Sequence, residues 1–169
     1  MSFAAFEATI VSPALKAIAR HWNEARGARR MPGWSNLKPS AMAPHLPIVW
    51  ACTYDRVTDT FTGRLGGERI TSLFGKTFRG LQMAEDYQYP AFFARAKRIV
   101  TEPAFMRGHG LVYRHLDRYG TGERIMMPLA DDGEHGDGVF GATEYNMSSA
   151  TPTQESIQAG EAVSWFRLD

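Results

Sequence analysis

Apolar residues recur at spacings of three and four after Ser12, where Leu15, Ile18, Trp22 and Ala25 fall on one face of a helix. Ser12 is a good N-cap, because its hydroxyl can accept a free first-turn amide, and Pro13 at the first helical position has no hydrogen bond to lose. Gly27 is placed to end this helix. Phe3, Phe6 and Ile10 carry helical spacing further upstream. The prolines of residues 27–47 then forbid a long regular element, leaving room for one short turn at 40–46. Residues 48–54 are rich in β-branched and aromatic side chains. With a turn at 55–59 and a run at 60–65 they predict a hairpin. Residues 68–74 have short helical spacing, and 77–86 are irregular. A second long helix opens at Pro90, with Phe92, Phe93, Ala96, Ile99 and Val100 as its apolar stripe, and stops before Pro103. Strands are predicted at 104–115, 123–130 and 138–147, with turns at 119–122 and 131–133. A short helix is expected near 153–159.

Consecutive strands with turn-length links favour antiparallel pairing, so the element order describes an α+β layer with helices on one face of a sheet. Composition agrees with a folded domain. Among 169 residues, 44% are hydrophobic and 22% charged, values that argue against global disorder. Nineteen basic residues against 18 acidic ones give a formal charge of +1, which offers no electrostatic case for nucleic acid as main partner. No run reaches the roughly 18 apolar residues of a membrane span. The start carries Glu7 and lacks a secretory signal pattern, so a cytoplasmic setting is expected. One cysteine, Cys52, excludes an intrachain disulfide.

The ordered motifs Arg26-Gly27-Ala28-Arg29-Arg30-Met31-Pro32, His45-Leu46-Pro47, Arg64-Leu65-Gly66-Gly67-Glu68-Arg69-Ile70, Leu73-Phe74-Gly75-Lys76 and Leu129-Ala130-Asp131-Asp132-Gly133 resemble a PAS domain. The likeness is to a bacterial subfamily of small stand-alone proteins common in alphaproteobacteria, and spans roughly residues 20–147. It implies a five-stranded antiparallel sheet with helices between the second and third strands and a pocket between the layers. The corresponding division is an N-terminal helical extension at 1–26, the PAS-like domain at 27–147 and a C-terminal extension at 148–169. The resemblance also implies a sensory or regulatory role in trans, toward a small molecule or a protein partner, and a homodimer. The face of the first helix with Leu15, Ile18 and Trp22 could lie on the outer face of its own sheet or pair with the same helix of a second chain, and the resemblance favours the pairing. The family carries no general ligand over to this chain. Flavin and haem are not supported by motif. Cys52 falls in a strand instead of the helical Asn-Cys-Arg-like motif of flavin photosensors, and the helix opened by Pro90 has no histidine for haem.

Within that frame Trp50, Phe74, Phe78, Phe92, Phe93, Met126 and Tyr145 are expected to enclose the pocket, since aromatic and Met side chains suit a small apolar or aromatic ligand. A filled core is the competing reading. His109 alternates with Phe105, Arg107, Leu111 and Tyr113, which share a face in a regular strand. It could orient a ligand or lie on the outer face. Arg64 could hold a ligand anion or stand exposed. Arg26 and Arg30 resemble the arginine pair of cyclic-dinucleotide sites, but the companion Asp-x-Ser-x-x-Gly is missing and a helix exit is the plainer reading. His135, in an Asp- and Gly-rich stretch, could bind a metal, although turns collect these residues for backbone reasons. Hydrolase, P-loop, zincin and dinucleotide motifs are absent, which points away from catalysis. Two alternatives stay open: a small isomerase- or dehydratase-like enzyme using His109 or Glu144, and a ligand-free interaction adaptor.

Overall fold

The computed structural model describes residues 2–74, 77–87, 89–115, 118–148 and 152–168, without the side chains of Ser2, Phe74 and His115. Two helices open the chain, α1 (Ser2–Thr9) and α2 (Pro13–Arg26). Ser12 caps α2 by accepting from the Leu15 amide at 3.2 Å, and Gly27 ends it at φ 56°, a left-handed position that favours glycine. The proline-rich stretch forms two 3-10 segments, Trp34–Asn36 and Pro39–Ile48. Then follow β1 (Val49–Asp55), β2 (Thr60–Gly66), α3 (Glu68–Phe74), β3 (Gln82–Met83), α4 (Pro90–Thr101), β4 (Ala104–His115), β5 (Arg118–Leu129), β6 (Gly138–Ser148), α5 (Gln154–Ala159) and β7 (Glu161–Arg167).

The strands form one antiparallel sheet in the order β3-β2-β1-β6-β5-β4-β7. The fold is the expected α+β architecture. Among the described residues the sheet has seven strands in place of five, because the short β3 and the C-terminal β7 extend its two edges. The helices α3 and α4 cover one face, and the N-terminal helices cover the other. On the outer face, Phe6 and Ile10 join Leu15, Ile18 and Trp22 of α2 and pack on Val49, Ala51, Phe105, Ile125, Met127 and Phe140. On the inner face, Ile70 of α3 and Phe93, Ala96, Ile99 and Val100 of α4 pack on Trp50, Cys52, Phe61, Met106, Met126 and Val139.

This cover disposes of the stripe expected to pair two chains. Leu15, Ile18 and Trp22 are wholly buried under their own sheet, and Trp22 Nε1 donates to the Pro128 carbonyl at 2.8 Å. They have no surface to offer a second copy. The junction of α1 and α2 is tied down by Glu123 of β5, whose carboxylate accepts from the amides of Val11 (3.0 Å) and Ser12 (2.7 Å) and from Arg107 Nε (2.7 Å). Burial works against the charge of Glu123, but these donors outweigh it and hold its carboxyl below the usual carboxylate range.

Two strand details depart from the pattern. Residues 119–122, expected as a turn, lie within β5, where a Cβ on Gly122 would come within 1.9 Å of the Glu144 carbonyl. The glycines serve close strand approach there. In β4 the register shifts between Leu111 and Tyr113, beside Gly110 at φ 102°. This bulge inserts Val112 and reverses the alternation, so Phe105 faces the outer core while Tyr113 lines a cavity on the inner side. Among the described residues no helix is long and apolar enough to cross a membrane.

Candidate functional site

The inner layer is not fully packed. Between the sheet and the start of α4 lies a cavity of about 190 Å³, walled by Phe78, Met83, Tyr87, Tyr89, Phe92 and Tyr113, with Arg95, Arg114 and Arg124 among its other lining residues. A smaller hollow of about 70 Å³ adjoins it toward α3 and shares Phe78, Phe92, Tyr113 and Arg124 with it. Trp50 forms the back wall of the smaller hollow. Its indole lies against Gly141, where a Cβ would come within 2.3 Å of the ring, and it donates to Thr143 Oγ1 at 3.3 Å. Phe92 meets Trp50 edge-on at 5.4 Å between centroids.

The polar groups of the cavity are unusual for a core. Arg124 projects from β5 on the inner face and donates through Nη2 to the Val112 carbonyl at the bulge. Among the described residues its Nε is buried without a hydrogen-bond partner, 3.6 Å from Glu161 Oε1, which likewise accepts no hydrogen bond. Glu161 opens β7 and reaches this point across Gly108, where a Cβ would sit 2.2 Å from Oε1. Its other oxygen accepts from Arg95 Nη1 of α4 at 2.5 Å. Burial lowers the proton affinity of Arg124, Glu161 raises it and the Arg95 guanidinium lowers it again. The Tyr87 hydroxyl is buried with no hydrogen-bond partner among the described residues, and burial pushes it up to about 12.

Of the residues expected around the pocket, Trp50, Phe78 and Phe92 line it. Phe93 and Met126 fill the adjacent core, Phe93 edge-on to Phe61 at 5.8 Å. Tyr145 is buried under α3, where its hydroxyl donates to the Arg69 carbonyl at 2.7 Å and the Arg69 guanidinium sits 4.4 Å from its ring. The Phe74 side chain lies outside the described residues. Two placements are corrections. Arg64 is the extra residue opposite the Ala51–Cys52 step and is exposed, its guanidinium 4.5 Å above Trp34 on the other side of the sheet. His109 precedes the bulge, follows the outward phase of Phe105 and Arg107, and is exposed. Glu144, the other acid–base candidate, accepts from Ser12 Oγ at the helical cover.

The remaining candidates have structural partners. Arg26 Nε donates to Asn23 at 2.8 Å, and Arg30 lies on a separate polar hollow with Arg98 and Arg167. The Asp132 carboxylate accepts from the amides of Glu134 and His135 and meets His135 Nδ1 at 2.8 Å, closing the exposed turn. Those donors hold Asp132 well below the usual carboxylate range. Among the described residues no three His, Cys, Asp or Glu side chains gather as a metal site. Cys52 is buried in β1, and desolvation pushes its thiol up to about 12, so it carries no thiolate at neutral pH.

Sequence reading passed over Tyr87, Tyr89, Arg95, Tyr113, Arg124 and Glu161. Arg124 did carry a signal, since alternation places it on the face of Met126. The others depend on the bulge, on the irregular segment before α4 and on a C-terminal strand not expected from the pattern.

A PAS domain family model matches residues 10–144 of the chain. No curated protein matches it, and no solved structure does.

Proposed function

Because this chain belongs to the PAS domain family, a family of sensory and regulatory modules, we propose that it is a small-molecule sensor whose ligand occupies the cavity between the sheet and α4. The observation that carries the reading is the cavity itself, about 190 Å³ of space between sheet and helix, walled mainly by aromatic side chains. A pure adaptor has no use for that volume. The sequence likeness to stand-alone bacterial PAS proteins supports an effect exerted in trans, on a protein partner in the cytoplasm.

Two contacts join the cavity to the helical cover. Glu161 ties Arg95 and Arg124 to the start of β7, and Phe166 near the end of β7 packs on Phe6 of α1 at 5.8 Å. A ligand changes the partner contact only in so far as it binds one arrangement of these elements better than another. Native mass spectrometry of freshly purified protein tests the reading. The expected result is a mass above the 18.9 kDa chain that disappears on denaturation. A clean apo mass, with no thermal stabilisation by any fraction of a small-molecule extract, sinks it.

A further inference from the structure

We infer that the cavity recognises a small aromatic carboxylate, with the carboxylate held by Arg124 and the Tyr87 hydroxyl. The inference rests on the cavity being a ligand site, and adds the charge, size and shape of what fills it.

Charge comes first. Every charged side chain lining the cavity among the described residues is an arginine: Arg95, Arg114 and Arg124. Glu161 behind them supplies one negative charge, and one of its oxygens is already taken by Arg95. Arg114 is exposed, but Arg95 and Arg124 still outnumber that one carboxylate, and a buried cation requires a compensating anion or costs stability. Hydrogen bonding gives the second argument. The Arg124 Nε–H is a donor, the Tyr87 O–H is another, and both are buried with no hydrogen-bond partner among the described residues. Native structures rarely leave such groups unmatched, so each calls for an acceptor. A carboxylate accepts at both oxygens. Size gives the third. An apolar cavity of about 150 Å³ holds one benzene. About 190 Å³ therefore fits one ring with a short acidic arm, packed among Phe78, Phe92 and Tyr113. The first turn of α4, which contributes Ala91 and Phe92 to the wall, adds the positive end of its helix dipole.

Glu161 Oε1 lies 3.6 Å from Arg124 Nε, too far for a good hydrogen bond. Arg124 thus keeps a donor for an incoming acceptor while its charge stays partly balanced.

Isothermal titration calorimetry on the full chain tests this with matched probes: benzoate and phenylacetate, their neutral amides benzamide and phenylacetamide, and inorganic phosphate. The expected result is binding of a carboxylate, about tenfold or more weaker binding of its amide, and weaker binding still of phosphate, which lacks the ring. Arg124→Met keeps an apolar stem but removes the guanidinium, leaves Glu161 paired with Arg95, and is expected to lower carboxylate affinity at least about tenfold. Tyr87→Phe separates recognition from structure: it should weaken carboxylate binding while raising the thermal midpoint of the free protein, because it deletes an unpaired buried hydroxyl. Equal affinity for acid and amide, or unchanged affinity in both variants, overturns the carboxylate assignment and leaves the cavity reading standing. Phosphate binding as tightly as benzoate overturns the aromatic part. Failure of every ring compound, charged or neutral, at millimolar concentration overturns this inference. If, in addition, no small molecule is retained in the native mass spectrum and no extract fraction raises the thermal midpoint, the cavity reading falls with it.

Discussion

Trp22 is the largest fully buried side chain among the described residues, and it touches three parts of the molecule. Its ring stacks near Phe3 at 6.4 Å, stands edge-on to Phe105 at 4.9 Å, and its N–H satisfies a carbonyl of the sheet. Trp22→Ala is expected to cost about 3–5 kcal/mol in urea unfolding, the range for deleting a large aromatic from a core. It leaves the Pro128 carbonyl without its donor as well. A loss under about 1 kcal/mol would mean that α2 is loosely docked. At this scale the apolar half of the site was legible. Trp50, Phe78 and Phe92 are large, apolar and set in or beside recognisable elements, so a pocket wall was a natural expectation. The charged half was legible only in part. Alternation puts Arg124 on the face of Met126, but Arg64 is itself the extra residue of a bulge, and Tyr113 turns inward only after the inserted residue Val112.

The inserted residue shows how an element can mislead when it is read as regular. Alternation across residues 105–113 suggests one continuous face, yet Val112 splits it in two. Before the bulge, Arg107 reaches outward to Glu123; after it, Tyr113 turns inward to the cavity. The outward half has a testable electrostatic consequence. Glu123 fastens the α1–α2 junction to β5, and its carboxyl sits below its ordinary value in the folded chain. The sign follows from linkage. A depressed folded-state value means that the ionised group stabilises the fold at every pH above its unfolded value, about 4.3, and that this contribution disappears as pH falls through the lower folded value. Glu123→Gln should therefore lose about 3 kcal/mol at pH 7, as expected for removing one partner of a buried ion pair. Its stability should also fall less steeply than wild type on acidification below about pH 4.3. Parallel acid profiles for the two proteins would show that the clamp contributes nothing. α2 and α4 themselves were easy to read, each having a proline at its first position and an apolar stripe. β7 was not, because its residues alternate between half-buried and exposed, a weak hydrophobic signal.

For the whole molecule, one sheet carries two cores. The outer core under α1 and α2 and the inner core under α3 and α4 draw on the same strands, with Ala51 facing one and Cys52 the other. Neither layer keeps its partner surface when the other melts. Equilibrium urea unfolding should accordingly show a single transition, with tryptophan fluorescence and far-ultraviolet circular dichroism superimposing. Two separated transitions would establish the N-terminal helices as an independent unit. The α+β class was legible because the order of elements is a property of local pattern. The two-sided cover and the seventh strand arise from contacts distant in sequence, which no local pattern records. One of those distant contacts governs assembly of the chain's end. Hydrophobicity alone would let β7 slide two positions along β4 with its faces preserved. Glu161 removes that freedom, because such a slide would carry its carboxylate out of the notch at Gly108 and strand the guanidinium groups of Arg95 and Arg124. The last strand seats like a key with one tooth, in a single alignment that charge selects where greasiness cannot.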